Sequence, residues 1–278
     1  MSRDRILFLG GNGHCAGRLD RARRALADRG APFDILDVAY PGFEGRPPAP
    51  GLESFLDLVS ERIAAAAFGS RPRLYATGIG GLVAFCLRAR GSHAELPLLL
   101  QAPVLWGLER RLMPRLLRHL PARSLLRVLF KSPLFQRGFA RRHFTRRPDP
   151  ADLGAFFEGY ACCAALADLF AWLDPALLRR LEASLRGRPD RLSGIGIWWG
   201  GRDTVVTLDE LRLSEQALGR TWPVRVFPDW GHYPMIDAPH EWIDALATQL
   251  GNNYQARGDP PSPAFPSPYV GRDRVGGR

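Results

Sequence analysis

The order of apolar and polar positions along the chain predicts alternating strands and helices. Short apolar runs that end in glycine or proline predict buried strands, and apolar residues spaced three and four apart predict helices. The predicted strands are, in chain order, RILFL, FDILDV, RLYAT, LPLLLQAP, GIGIWWGG and PVRVF. The predicted helices between and after them are RLDRARRALADRG, LESFLDLVSERIAAAAF, GGLVAFCLRARG, LDELRLSEQALG and HEWIDALATQL.

This alternation predicts an α/β fold, with a mostly parallel sheet and helices on both of its faces. The alternation stops near Trp106, and only helical patterns follow until about Pro189. We therefore expect a core formed by residues 1–105 and 191–251, interrupted by a helical insertion at 106–190. After Gly251 the sequence is rich in Pro, Gly, Ser and Arg, which predicts a disordered tail at 252–278.

The composition and the cysteine spacing lead to expectations about the location of the protein, its cofactors and its thiols, but not about its reaction. The first apolar run, Ile6 to Leu9, is too short for a signal peptide or a membrane span, so we expect a cytoplasmic protein. The cysteines have no zinc-like spacing, and we expect no metal and no cofactor. The adjacent pair Cys162 and Cys163 lies in an apolar segment, which predicts buried free thiols.

The helical insertion is strongly basic. The formal charge of the chain is +10, and Lys131 is its only lysine. Residues 109–147 contain twelve Arg or Lys side chains and one acid, Glu109. An apolar stripe with helical spacing lies beside basic positions on another face; the stripe is Leu112, Met113, Leu116, Leu117 and Leu120, and the basic positions are Arg111, Arg115 and Arg118.

Two interpretations of this basic segment remain open. It is either an amphipathic helix with a solvated basic face, or a lid that attracts anionic or lipid-like molecules and makes weak contact with a membrane surface. We expect no nucleic-acid partner, because no nucleic-acid-binding motif accompanies the charge.

Several short motifs follow the predicted strands in a characteristic order. They are LGGNGH at 9–14, YPGFEGR at 40–46, ATGIGG at 76–81, WWGGRD at 198–203 and DWGHYPMIDAPHEW at 229–242. In this order and spacing they resemble the capped members of the α/β-hydrolase fold superfamily. The resemblance implies that the insertion is a cap and that the reaction uses a nucleophile, an acid and a histidine, in that chain order.

The resemblance assigns roles to particular residues. Asp203 corresponds to the acid and His232 to the base, each on a loop after a strand. The backbone N–H of Ile79, with one from Gly11 or Asn12, corresponds to the oxyanion hole. His14 and Cys15 follow the oxyanion loop directly and are candidate pocket residues.

The nucleophile position departs from the family pattern. The tight turn that carries the nucleophile needs small residues two positions before and two after its apex. With Gly78 at the apex these residues are Ala76 and Gly80, whereas an apex at Thr77 would place bulky residues there, Tyr75 and Ile79. The steric requirement therefore predicts that glycine occupies the apex and that the nucleophile is absent.

Two functions are compatible with an empty nucleophile position. In the first, His232 and Asp203 act as a base dyad on a small hydrophobic carbonyl or ester-like molecule, in hydrolase or lyase-type chemistry without an acyl-enzyme. The basic insertion allows that substrate to be anionic. In the second, the protein is a non-catalytic member that binds a small ligand or a protein partner. A pocket open to His232 and walled by the insertion favours the enzyme, and a filled pocket favours the second function.

Overall fold

Six strands form one parallel sheet in the computed structural model, which describes residues 4–111 and 128–255. The strand order is β2-β1-β3-β4-β5-β6, and every neighbouring pair is parallel. The strands are β1 (Asp4–Leu9), β2 (Phe33–Asp37), β3 (Arg71–Gly78), β4 (Leu98–Pro103), β5 (Ile195–Gly200) and β6 (Val224–Phe227). The predicted fold class is confirmed.

Helices cover both faces of the sheet. Those of the α/β alternation are α1 (Asp20–Asp28), α2 (Leu52–Ala67), α3 (Ile79–Ala89), α8 (Leu208–Leu218), α9 (Pro234–Asp237) and α10 (Pro239–Gln255). Between β4 and β5 lie α4 (Pro133–His143), α5 (Pro150–Ala161), α6 (Leu166–Trp172) and α7 (Pro175–Leu185). The central strands are buried on both faces, as in β1, where every side chain from Ile6 to Leu9 is buried.

Element boundaries differ from the prediction in three places. The helix predicted from Arg18 begins at Asp20, after a 3-10 turn at Ala16–Leu19 that buries Arg18. The short helix α9 was not predicted, because it lies within a motif that resembled a loop. Helix α10 continues to Gln255 and so covers the first four residues of the predicted tail. The apolar stripe at 112–120 and the rest of the predicted tail lie outside the described residues.

The cysteines are free thiols. The prediction for the adjacent pair is half right, since Cys163 is buried and Cys162 is exposed. Cys162 caps the C-terminal end of α5, where the chain turns outward.

Within residues 4–111 and 128–255, no single helix is long and apolar enough to cross a membrane. Helices α5 and α6 reach that length and composition only together, and they are bent by 61° relative to each other.

An aromatic cluster forms the inner face of the insertion. Phe156 is fully buried at its centre and packs against Tyr160 and Phe139, with ring centroids 5.6 and 5.5 Å apart. The cluster extends through Phe130, Phe135, Phe144 and Phe157. These rings give the insertion a large apolar surface that faces the ends of the strands.

Candidate active site

The turn from β3 into α3 has the backbone of a strained elbow. Gly78 has φ 54° and ψ −123°, a conformation that glycine adopts far more readily than other residues. A Cβ built on Gly78 would meet only Gly11 Cα at 3.6 Å and His232 Nε2 at 3.8 Å. The turn therefore leaves open space where a side chain would face the histidine.

Gly80 is needed for a different reason. A Cβ on Gly80 would lie 2.2 Å from the Leu9 carbonyl oxygen and 2.7 Å from that of Gly10. The first turn of α3 thus passes directly against the end of β1. This contact places the loop after β1 beside the elbow.

His232 and Asp203 form a hydrogen-bonded dyad. His232 Nδ1 lies 2.8 Å from Asp203 Oδ2. The other oxygen, Oδ1, accepts hydrogen bonds from the backbone amides of Val205 and Val206 at 2.7 and 2.9 Å. The Asp203 side chain is 0% exposed. Its ionised form orients the ring so that Nδ1 donates and Nε2 faces Gly78 as an acceptor.

Opposing effects set the pKa of Asp203. Burial raises the pKa, but the neighbouring His232 and the two amide donors lower it, and the net pKa of the carboxyl is lowered. Asp203 is therefore ionised at neutral pH. Such a carboxylate can stabilise an imidazolium formed when His232 accepts a proton.

A buried polar chain fixes the backbone of His232. Gln101 at the end of β4 donates to the His232 carbonyl oxygen at 3.1 Å. The side-chain oxygen of Gln101 accepts a hydrogen bond from the Tyr75 hydroxyl. The oxygen of that hydroxyl accepts a hydrogen bond from Trp242 Nε1 at 2.8 Å. The sequence pattern did not single out these residues, because Tyr75 and Trp242 looked like ordinary core positions.

The predicted oxyanion residues lie beside the elbow. Ile79 is the first residue of α3, so its amide has no acceptor within the helix. Gly11, Asn12 and Ile79 line the same cavity as Gly78 and His232. The structure thus brings together the dyad, the elbow and the loop after β1.

This cavity has a volume of about 560 Å³. Its floor is formed by the strand ends, and much of its wall comes from the insertion, through Phe130, Phe135, Phe139, Tyr160 and their neighbours. The lining is largely apolar, with polar groups concentrated near His232 and at Arg18, Arg111, Arg142 and His143. The cavity is open to His232 and is not filled by a side chain at the elbow.

The two other candidate residues occupy different surroundings. His14 lines the cavity, and its Nε2 lies 2.7 Å from Asp37 Oδ1, so it forms a second buried His–Asp pair. Cys15 does not line the cavity; its Sγ donates to the Ala155 carbonyl oxygen at 3.2 Å under α5. Burial raises the pKa of the Cys15 thiol, which favours the protonated and unreactive form.

Sequence reasoning did not identify Arg18 and His143 as cavity residues. Burial and the adjacent Arg142 lower the pKa of His143, which keeps its ring neutral at pH 7. Both residues reach the cavity through contacts between the core and the insertion, so no local pattern marks them. In the described part of the chain, no group of three or more His, Cys, Asp or Glu side chains could hold a metal ion.

Two sets of hydrogen bonds, here called the two ties, attach residues 142–145 to the loops that carry the dyad. The Thr204 hydroxyl, next to Asp203, donates to the Arg142 carbonyl oxygen at 3.0 Å and lies 3.1 Å from His143 Nδ1. Asp237 Oδ2, shortly after His232, accepts from both the amide and the hydroxyl of Thr145 at 3.0 Å.

The buried Asp237 that accepts from Thr145 makes the free energy of unfolding depend on pH. Burial raises the pKa of Asp237 to about 6. The folded protein therefore holds a proton that the unfolded chain releases, and this contribution to stability falls as the pH rises from about 4 through 6. Asp237→Asn keeps an acceptor for Thr145 without the charge. We compare the free energy of unfolding of the variant with that of wild type. This difference should shift by about 1 kcal/mol in favour of the variant between pH 5 and pH 8.

Chemical denaturation of both proteins at the two pH values measures this difference. An equal effect of the substitution at pH 5 and pH 8 would contradict the prediction. Asp244→Asn, which removes an exposed carboxylate on the surface of α10 that pairs with Arg29, is measured as the surface control.

The parallel sheet, with an elbow after β3 and a His–Asp pair on the last two strand loops, is the arrangement of the α/β-hydrolase fold. The model of the alpha/beta hydrolase family matches residues 6–245, and the chain belongs to that family. A search of curated protein sequences gives no match.

Solved structures with the same fold cover most of the chain. A membrane phospholipase A, described as a bacterial virulence factor, is 22% identical, with a TM-score of 0.62 over 93% of this chain and 80% of that one. A putative lipase from Acinetobacter baumannii AYE is 14% identical, with a TM-score of 0.65 over 92% of this chain and 85% of that one. A haloalkane dehalogenase from Bradyrhizobium elkani USDA94 is 17% identical, with a TM-score of 0.63 over 91% of this chain and 92% of that one. At these identities the likeness establishes the fold alone.

Proposed function

We propose that this protein is an α/β-hydrolase-fold enzyme in which glycine replaces the nucleophile and His232, oriented by Asp203, acts as the general base. The substrate is a small hydrophobic carbonyl or ester-like molecule. One observation carries the proposal: the open position of a Gly78 side chain lies 3.8 Å from His232 Nε2, inside a cavity of about 560 Å³. The base faces a space where water or a substrate proton fits.

The residues around the elbow support a route without an acyl-enzyme. His232 Nε2 takes a proton from water as the water oxygen bonds to the substrate carbonyl carbon. The amides of Ile79 and of Gly11 or Asn12 stabilise the resulting oxyanion. The imidazolium then donates its proton to the leaving oxygen as the bond to that oxygen breaks. In a lyase-type reaction, the same base removes a proton from the substrate itself.

The cavity walls favour a hydrophobic substrate. Aromatic side chains of the insertion supply most of the apolar surface, and Arg142 adds positive charge at an exposed position of the lining. On the outer surface, Val128 and Leu134 are 68% and 75% exposed near Lys131, a combination that supports weak contact with an anionic membrane surface.

A substrate screen with matched variants tests the proposal. Wild type, His232→Gln and the surface control His240→Gln are compared on esters, lactones and thioesters. We expect turnover by wild type and His240→Gln, and a loss of about 100-fold or more in His232→Gln, because general-base catalysis contributes about 10²–10⁴-fold. His240 is a suitable control because its side chain is 51% exposed.

The alternative function has a distinct outcome. A non-catalytic binding protein would show no turnover with any substrate, or turnover unchanged by His232→Gln. Thermal unfolding of each variant shows whether a loss reflects chemistry or folding.

A further inference from the structure

A buried cation forms part of the cavity wall on the side of α5. Arg18 is 7% exposed and lines the cavity. Its guanidinium lies over the rings of Phe156 and Tyr160, 4.0 and 4.7 Å from their centroids. A charge removed from water costs free energy unless nearby groups compensate it.

The hydrogen-bond partners of Arg18 occupy only some of its N–H donors, and they do not neutralise its charge. Nη1 donates to the Asn12 carbonyl oxygen at 2.9 Å, and Nη2 donates to that of Phe156 at 2.7 Å. A guanidinium has five N–H donors, and the buried Nε has no hydrogen-bond partner. Across residues 4–111 and 128–255, no carboxylate forms an ion pair with Arg18.

Arg88, which is also buried in the described part of the chain, shows what distinguishes Arg18. Arg88 is also held by backbone carbonyls, those of Leu96, Arg191 and Ser193, and its Nε is likewise unpartnered. Arg88 does not line the cavity, so its role is to join elements of the core. Arg18 has comparable bonding but lies where a ligand can reach it.

We propose that Arg18 binds the carboxylate of an amphiphilic substrate whose reactive carbonyl group lies at His232. The placement of that carbonyl rests on the proposed function, whereas the binding of the carboxylate does not. A single desolvated cation matches a monoanion, and the planar guanidinium suits a carboxylate.

A series of ring contacts connects Arg18 with the dyad. Phe156, under the guanidinium, packs against Tyr233 with centroids 4.9 Å apart, and the Tyr233 ring lies 4.7 Å from that of His232. The anion site and the base are therefore separate but close. An apolar body between the two functional groups of the substrate would lie against Tyr160 and Tyr233, which line the cavity.

The remaining cations of the cavity are less suited to this role. Arg111 is paired with Glu210 at 2.7 Å, which neutralises its charge. Arg142 is exposed, so water and salt screen it. Among the described arginines that line the cavity, Arg18 is the one that is both desolvated and without an ion-pair partner.

Two ligands with the same apolar part test the proposal by calorimetry. They are 4-phenylbutyrate and 4-phenylbutan-1-ol, which differ in their carboxylate and hydroxyl groups. At pH 7.5 we expect wild type to bind the carboxylate about tenfold or more tightly than the alcohol, as a charge-assisted hydrogen bond allows. Arg18→Met should abolish this preference and leave the affinity for the alcohol within about threefold.

Matched variants separate the possible sources of the preference. Arg142→Gln and His232→Gln should both retain it, since neither removes the buried cation. Retention in His232→Gln together with a failed substrate screen would leave the Arg18 site standing and overturn only the proposed function. Equal binding of the two ligands by wild type, or loss of the preference in Arg142→Gln, would overturn the Arg18 site.

A measurement on wild type covers the case in which Arg18→Met does not fold. The Arg18 Nε–H resonance in a ¹H–¹⁵N spectrum should shift when the carboxylate is added and stay in place with the alcohol. An equal response to both ligands would overturn the proposal.

Discussion

Gly78→Ser should gain esterase activity on small activated esters and become sensitive to fluorophosphonate probes, whereas wild type should not be labelled at its elbow. The new Cβ would lie 3.8 Å from His232 Nε2, and its nearest other neighbour is Gly11 Cα at 3.6 Å, an ordinary contact. A serine rotamer directed at the ring brings Oγ within hydrogen-bond reach, about 2.6–3.2 Å. The substitution thus completes a nucleophile, base and acid arrangement beside the proposed oxyanion site.

The expected gain in ester cleavage is about 10²-fold or more over wild type. The backbone of Gly78, with φ 54°, makes any side chain unfavourable by about 1–3 kcal/mol. Gly78→Ala carries the same strain without a hydroxyl and is the matched control. Activity and labelling should appear in the serine variant alone and disappear again in the double variant with His232→Gln.

One result would contradict this arrangement of the site. If Gly78→Ser is folded yet neither reacts with the probe nor cleaves any ester, His232 and Asp203 are not in catalytic geometry. The non-catalytic function would then be the better explanation of the family membership.

Gly80→Ala should cause the largest loss of stability among single-methyl additions at the elbow. The added Cβ would lie 2.2 Å from the Leu9 carbonyl oxygen and 2.7 Å from that of Gly10. Both neighbours are backbone atoms at the end of a central strand, so α3 would have to move away from β1. We expect a loss of about 3 kcal/mol or more in the free energy of unfolding.

Thermal and chemical unfolding measure this loss. Gly154→Ala is a matched control, because Gly154 is also helical and an added Cβ there has no neighbour within 4 Å. The control should keep or gain stability by up to about 1 kcal/mol, as alanine is the better helix former. Equal stability of the two variants would mean that α3 does not pass so close to β1.

Much of the active-site framework follows from local sequence. The apolar runs predicted the six strands, and the small residues Ala76 and Gly80 placed the apex of the turn at Gly78 rather than at Thr77. The Gly80 contact with Leu9 gives the physical reason, since only a glycine permits that approach. The dyad was assigned by the resemblance to the α/β-hydrolase family, and the position of both residues after strands agreed with it, because the carboxyl ends of parallel strands share one edge.

Features formed by distant segments could not be predicted in this way. Arg18 was predicted only as the first residue of a charged helix, but it is buried because α5, about 140 residues later, covers it. His14 gave no sign that Asp37 would be its partner, and Cys15 gave none that it would contact Ala155. The contacts of Arg18 and Cys15 depend on how the insertion packs on the core, and that of His14 depends on the pairing of β1 with β2; local periodicity encodes neither.

The two ties at residues 142–145 divide the insertion into parts with different tolerance to change. Thr204 joins this segment to the loop of Asp203, and Thr145 joins it to Asp237, shortly after His232. The length and path of the segment are therefore coupled to the alignment of the dyad. The earlier part of α4, with Phe135 and Phe139, is not attached in this way and contributes to the walls of the cavity. We therefore expect that exchange of residues 133–141 changes the cavity walls, while the 142–145 segment serves as the fixed junction that preserves the alignment of His232 with Asp203.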